Sequence, residues 1–319
     1  MKLYKLMKKP PFFLSVSNWI TKKDNPIKSG PHSRRAVIIP LLIMQYGSIA
    51  AKLKTFGSLR DYFVTSLKEM HESAKNIKKN PHMGKKAMDN KTLREMEDYA
   101  KELGVLSIGY TKVNPNYIFK DFEILYDSAV VLTMEMNKEL IATNPSLECS
   151  QEIFRTYAGL GVAVNKIADF LRSKGYNCQP SPAIGGDINT IPTAQDANLG
   201  CIGKNGILVT PELGPCVRLA AIFIDVDNLP IAKKSEHMWI AEFCKTCNRC
   251  VKACPAGAIN EKAKLLADGT RVYINLEKCA KPFSDGCSTC ISSCVFTGGH
   301  YNKIKEAFNR RELKKVLNH

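Results

Sequence analysis

A chain of 319 residues, 45% hydrophobic and 24% charged, has an ordinary globular composition with room for one large domain and a small one, which excludes a disordered chain. Its net charge of +16 suggests a nucleic-acid footprint, but residues 1–90 hold 18 Lys and Arg against 5 Asp and Glu, leaving 28 against 25 for the rest. The basic character belongs to the N-terminal segment, so a polyanion or an anionic membrane meets that end first, and no run of about 18 apolar residues offers a spanning helix.

Residues 1–90 read as an extended arm followed by one or two helices, one over 58–78, with apolar pieces at 11–14, 36–44 and 49–53. Ser33-Arg34-Arg35 before an apolar run is similar to the start of a twin-arginine export signal. The pair lies far into the chain and no small-residue cleavage site follows, so a basic strand or helix packed under the body is the preferred reading. Asn80-Pro81 ends the helix, because proline disfavours the α conformation in the residue before it. Thr92-Leu-Arg-Glu95 reads as a capping box for a helix over 92–103, closed by Gly104. Residues 105–110, 129–134 and 216–224 are β-branched or apolar runs that read as strands. Between 150 and 174, Ile153, Tyr157, Leu160, Val164, Ile167 and Leu171 alternate at steps of four and three, a helix stopped by Gly175. Interleaved helices and strands without a repeat indicate a sheet domain of α/β or α+β type.

The loop from Cys178 to Pro215 holds five prolines and six glycines in 38 residues. It reads as too irregular for regular elements, and loops of that length in compact domains tend to be functional. Gly200-Cys-Ile-Gly-Lys-Asn-Gly206 is its glycine core, suited to close approach of backbone to a ligand. It is neither a Walker loop nor a dinucleotide fingerprint.

Eight of the twelve cysteines fall in two runs near the C-terminus. Cys244, Cys247, Cys250 and Cys254, closed by Pro255, repeat the bacterial ferredoxin spacing C-x2-C-x2-C-x3-C-P, and Cys279, Cys287, Cys290 and Cys294 add C-x2-C-x3-C. Zinc knots use paired ligands and secreted disulfide scaffolds are short, so two [4Fe-4S] clusters are the expectation. Crossing over as two-cluster ferredoxins do assigns Cys244, Cys247, Cys250 and Cys294 to one cluster, and Cys254, Cys279, Cys287 and Cys290 to the other. Val295 stands where the second run would carry its own proline.

Ile191-Pro-Thr-Ala-Gln-Asp-Ala-Asn-Leu-Gly200, then Leu208-Val-Thr-Pro-Glu-Leu-Gly-Pro-Cys-Val-Arg218, then the two cysteine runs resemble the reductive dehalogenase and epoxyqueuosine reductase superfamily over residues 92–300. Met134-Glu-Met136 and Lys174-Gly-Tyr176 are similar to dehalogenase landmarks, whereas Ile202-Gly-Lys-Asn205 is similar to the epoxyqueuosine branch. Asn198 and Cys201 depart from the pattern, which has glycine at the first position. The resemblance implies an α+β fold: a basic extension (1–90), a nitroreductase-like corrinoid-binding sheet domain (91–238), a ferredoxin-like domain with two [4Fe-4S] clusters (239–300) and a C-terminal helix (301–319).

That resemblance also implies a base-off cobalamin, held near Asn189, Leu199, Gly200, Ile202, Gly203, Lys204, Asn205, Pro211 and Gly214, and an oxidoreductase that removes halide or a similar group from a small molecule. Tyr157 falls at the position of its proton donor and Arg218 at that of the adjacent basic residue, which would favour the ionised phenol. Core packing of Tyr157 and a structural ion pair at Arg218 are the bland alternatives. Asp187 is a further candidate acid, with a solvated turn aspartate as its ordinary reading. None of the histidines lies in the D-x-H-x2-G motif that ligates cobalt. Cys149, Cys178, Cys201 and Cys216 read as small buried hydrophobes, the last two placed to approach a cofactor. Partners would be an electron donor such as ferredoxin or flavodoxin. The protein would be cytoplasmic, peripheral to an anionic membrane through its basic segment, unless that segment folds back over the body. The alternatives are an enzyme acting on tRNA, and an electron-transfer protein that has lost its corrinoid because Asn198 crowds the site.

Overall fold

The computed structural model describes residues 25–37, 39–233, 235–266 and 271–317; residues 1–24, with the apolar piece at 11–14, lie outside the described residues. The chain starts with β1 (Ile27–Lys28) and the helices α1 (Ile39–Tyr46), α2 (Ile49–Phe56) and α3 (Arg60–Lys75). Ser48 caps α2, its hydroxyl accepting from the Ala51 N–H at 3.1 Å, as a side-chain oxygen does for an otherwise unpaired helix donor. A 3-10 turn over Asn76–Lys79 continues α3, and Asn80, extended at φ −61 and ψ 138, ends it before Pro81 as expected.

Helix α4 (Asn90–Glu102) begins at Asp89, whose carboxylate accepts from the Thr92 N–H at 2.8 Å and the Thr92 hydroxyl at 2.9 Å. The capping box expected at Thr92 is therefore displaced: the aspartate is the stronger acceptor and starts the helix earlier. Strands β2 (Val105–Lys112), β3 (Glu123–Ile124) and β4 (Ser128–Glu135) follow, then α5 (Lys138–Ala142) and the long α6 (Leu147–Ser173), capped by Ser146 and stopped at Gly175 with φ +91. The 178–215 segment is more regular than expected, with β5 (Cys178–Ser181), α7 (Thr190–Asp196) and the hairpin of β6 (Cys201–Ile202) and β7 (Leu208–Val209). Each piece is too short for a periodic pattern to stand out in sequence. Strand β8 (Val217–Ile224) completes a sheet of order β2-β4-β8-β5, antiparallel throughout.

Both faces of this sheet are covered, which is why β4 and β8 read as unbroken apolar runs. Val130, Leu132 and Met134 of β4 pack with Met96 and Ala100 of α4 and with Leu160, Val164, Ile167 and Leu171 of α6. Ala129 and Val131 face the other way, onto Ile188, Ala194, Ala197 and Leu199 around α7, the alternation a pleated strand imposes.

Residues 25–90 do not form a separate extension. Strand β1 pairs antiparallel with β3, α1 packs on a later helix of the cysteine-rich lobe, and α3 docks on α6. There the Ser73 hydroxyl lies 3.0 Å from Asn165 Oδ1, and Asn165 Nδ2 donates to Glu69 Oε2 at 2.9 Å, all buried. The segment's described lysines and arginines are exposed or half-buried while Met70, Ser73, Ala74 and Ile77 are buried, so a high net charge concealed an amphipathic helix.

The cysteine-rich lobe comprises α8 (Trp239–Cys247), α9 (Arg249–Ala253), the hairpin β9 (Ile259–Leu265) and β10 (Arg271–Ile274), α10 (Leu276–Ser284), α11 (Thr289–Ser292) and α12 (Tyr301–Leu317). Its core is aromatic: Trp239 meets Phe296 at 5.7 Å, Tyr301 at 5.1 Å and Phe243 at 6.3 Å, all edge to face, the arrangement ring quadrupoles favour. Cys201 and Val209 of the hairpin join this core. Gly214, at φ +61, lies so close to Phe296 that a Cβ would stand 2.6 Å from its carbonyl. The two lobes are in intimate contact. No helix among the described residues is long and apolar enough to cross a membrane.

Candidate active site

The cysteine runs close on themselves through the turn between α8 and α9, where Asn248 takes the left-handed conformation at φ 53. Cys244, Cys247, Cys250 and Cys294 line one small cavity with Gly203, Lys204 and Asn205. Cys279 is pushed up to about 11, first by burial and then by the nearby Cys254 and Cys287. Cys290 is likewise pushed up by burial, then by Cys279 and Cys287. The structure thus brings Cys294 to the first three cysteines around one cavity, while Cys279 and Cys290 lie within electrostatic reach of Cys254 and Cys287. None of the eight is in a disulfide. Buried thiols crowded together resist ionisation unless cations sit among them, and iron provides those cations; the donor set fits [4Fe-4S] clusters.

Two adjoining cavities, of about 620 and 680 Å³, lie between the N-terminal segment, the 182–206 loop and the β9–β10 hairpin. They share His32, Arg34, Asn189, Ile191, Gly206 and Tyr273 as walls. One end is polar, with Asn114, Asn116, Gln195 and Arg271. The other is apolar, with Met70, Phe119, Phe122, Ile184 and Ile188. A large flat cofactor with an apolar face and an amide rim suits this room, so the residues fit a corrinoid.

The residues expected to hold that cofactor divide among three places. Asn189 and Ile202 line the polar end; Asn189 also caps α7, its side chain accepting from the Ile191 N–H at 3.4 Å. Gly203, Lys204 and Asn205 turn to the cysteines instead. Leu199 is buried in the core beneath the sheet; Gly200 is buried under Val209, Pro211 sits in the turn after β7, and Gly214 supports Phe296.

Arg218 stacks on Tyr157 with its guanidinium carbon 3.8 Å from the ring centroid, a cation–π geometry. Its Nε donates to Thr156 Oγ1 at 3.4 Å and one Nη lies 3.2 Å from Met136 Sδ. Tyr157 shares an apolar cluster with Met70 and Ile184, both walls of the larger cavity. Asp187 is not a solvated turn residue: it is 1% exposed and accepts from Gln179 Nε2 at 3.1 Å, directed at β5 while its neighbours Gly186 and Ile188 line the cavity.

Asn198 does not crowd the site. It adopts φ 59, where asparagine tolerates what glycine prefers, and its side chain accepts from the Glu236 N–H at 3.1 Å. Cys149, Cys178, Cys201 and Cys216 are buried, with Cys201 in the aromatic core and Cys216 in the Tyr157 cluster. Sequence reasoning missed His32, Arg34, Tyr117, Arg271 and Tyr273 as cavity walls. The Arg34 guanidinium donates to the Arg271 carbonyl, so the arginine pair read against an export signal serves the cavity mouth. Tyr117 is pushed up by burial and then by the charge of Asp196. Its signal in the sequence was only a turn, Asn114-Pro-Asn-Tyr117.

A family model described as a 4Fe-4S binding domain matches residues 237–260. The chain is 30% identical over 218 residues to a tetrachloroethene reductive dehalogenase of Desulfitobacterium hafniense, covering 63% of this chain and 38% of that protein. It is 29% identical over 150 residues to an epoxyqueuosine reductase of Listeria monocytogenes, covering 41% of this chain and 37% of the relative. The chain therefore spans less than half the length of these relatives. A solved reductive dehalogenase structure, described as suggesting a mechanism for B12-dependent dehalogenation, aligns with a TM-score of 0.61 at 18% identity, over 75% of this chain and 39% of that one. The chain is thus similar in sequence to reductive dehalogenases and, over a shorter stretch, to epoxyqueuosine reductases, carries a 4Fe-4S binding domain, and shares the fold of a solved reductive dehalogenase.

Proposed function

We propose that the chain is an iron–sulfur and base-off cobalamin reductase that removes halide or a comparable leaving group from a small organic molecule, with ferredoxin or flavodoxin as electron donor. The observation that carries this reading is one loop: Ile202 and Gly206 line the polar end of the paired cavities, while Gly203, Lys204 and Asn205 between them line the cysteine cavity. In this reading residues 91–238 are a nitroreductase-like corrinoid domain, 239–300 the ferredoxin-like module and 301–319 a terminal helix. Cobalamin, when bound, supplies the electron-rich centre that breaks the carbon–halogen bond. The protein's residues orient, exclude water and supply the proton. Tyr157 donates that proton from its phenol oxygen, with Arg218 against its ring. The apolar walls Phe119, Phe122 and Ile188 exclude water from the larger cavity.

Anaerobic reconstitution with iron, sulfide and cobalamin tests this. About eight irons per chain, a charge-transfer shoulder near 400 nm and halide release from a halogenated substrate are expected. About four irons would refute two clusters, and absence of a corrinoid spectrum would leave a plain electron-transfer protein.

A second reading, epoxyqueuosine reduction on tRNA, is favoured by Ile202-Gly-Lys-Asn205 and by His32, Arg34 and Arg271 in the cavity wall, where phosphates would be held. Salt-sensitive tRNA binding, lost on replacing Arg34 and Arg271, would select it. We also propose a cytoplasmic location with reversible attachment of the basic segment to anionic lipid, at about 1 kcal/mol per Lys or Arg near the surface. Sedimentation with anionic vesicles at low salt, and release at high salt, is the result expected.

A further inference from the structure

Lys204 enters the cysteine-rich lobe from outside it. Its ammonium donates to the Lys245 carbonyl at 3.0 Å and to Asn248 Oδ1, residues that flank Cys247. Lys204 lines the cavity of Cys244, Cys247, Cys250 and Cys294. The next residue, Asn205, is 3% exposed and donates from Nδ2 to the carbonyl of Cys290 at 3.2 Å. Gly206 then turns at φ +73 against Tyr273 and returns the chain to the large cavity. Successive residues of one loop thus touch the first cysteine group, the second group and the cavity they adjoin.

We propose that Lys204 is a positioning residue that sets the reduction potential of the cluster held by Cys244, Cys247, Cys250 and Cys294, with Asn205 bracing the second group through Cys290. The proposal rests on the two-cluster reading above. The physical basis is charge. One electron from the ferredoxin or flavodoxin donor, itself oxidised by one electron, makes a cluster more negative by one unit. A neighbouring ammonium favours that reduced form. Arg249 lines the same cavity, but it belongs to the ligand run itself; Lys204 brings its charge from the side of the large cavity.

The test is a redox titration followed by electron paramagnetic resonance on the anaerobically reconstituted full chain, as wild type, Lys204→Gln and Lys204→Arg. All three are expected to carry about eight irons. In Lys204→Gln one of the two midpoints shifts to lower potential and the other stays, whereas Lys204→Arg retains the wild-type value. Two unmoved midpoints in Lys204→Gln, or an equal shift in Lys204→Arg, overturn the proposal while leaving the two-cluster reading intact. Loss of a cluster in Lys204→Gln makes the residue a strut and overturns the tuning role. A wild-type chain without clusters overturns the reading and the proposal together.

Discussion

At the scale of single residues, two tyrosines compete for the proton-donor role. Tyr157 has Arg218 stacked on its ring at 3.8 Å but sits in an apolar cluster; Tyr117 lines the cavity directly. Tyr157→Phe is expected to keep iron and cobalamin and to lower turnover by roughly 10²–10⁴-fold, the usual worth of a positioned acid, while Tyr117→Phe changes it little. Single-turnover rates on reconstituted protein decide, and the reverse order moves the donor to Tyr117. Asn198 makes a separate prediction. Its left-handed backbone at φ 59 should accept glycine within about 1 kcal/mol, whereas Asn198→Val should destabilise by roughly 1–3 kcal/mol. Urea unfolding measures both, and equal effects would mean that the Glu236 contact, not the backbone, matters.

At the scale of elements, the long patterns were legible and the short ones were not. Helix α6 could be read from the apolar spacing of Ile153 to Leu171, and β4 and β8 from their β-branched and apolar runs. Helix α7 and strands β5, β6 and β7 escaped because each rests on tertiary contacts more than on its own period. Capping shows the same limit: the sequence pattern points to Thr92, and the geometry selects Asp89, with its 2.8 Å bond to the Thr92 N–H. Asp89→Ala is therefore expected to lower the unfolding midpoint, and Thr92→Val to lower it less, in thermal or urea unfolding. An equal or larger loss for Thr92→Val would restore the capping-box reading.

At the scale of the whole molecule, His237 ties the start of the cysteine-rich lobe to its last helix: its Nδ1 lies 2.8 Å from the Tyr301 hydroxyl, and the Trp239 indole N–H donates to the same oxygen at 2.9 Å. Burial holds the His237 pKa below its ordinary value, against a hydrogen bond to the Asn198 backbone and the charge of Glu236. The folded state therefore favours the neutral ring. The unfolded chain takes up a proton at about pH 6.5 and the folded one only at lower pH. Stability should thus be full above that value, fall as pH drops below it, and level off below the lowered pKa. His237→Gln should flatten this part of the pH–stability profile for the reconstituted protein; an unchanged slope would assign it to other groups.

The sequence by itself determined the chemistry of the cysteines, because the ligands within each run are spaced a few residues apart and short-range spacing is what a chain carries openly. It also determined the sheet and its main helix, where burial on a repeated face writes a period into the residues. Only the tertiary structure decided that the basic segment is built into the body and walls the cavity, that Asp187 faces Gln179, and that Gly203, Lys204 and Asn205 face the cysteines while Ile202 and Gly206 face the cavity. The reason is physical: these placements depend on contacts between segments far apart in the chain, and no local pattern records which side of a short loop meets which neighbour.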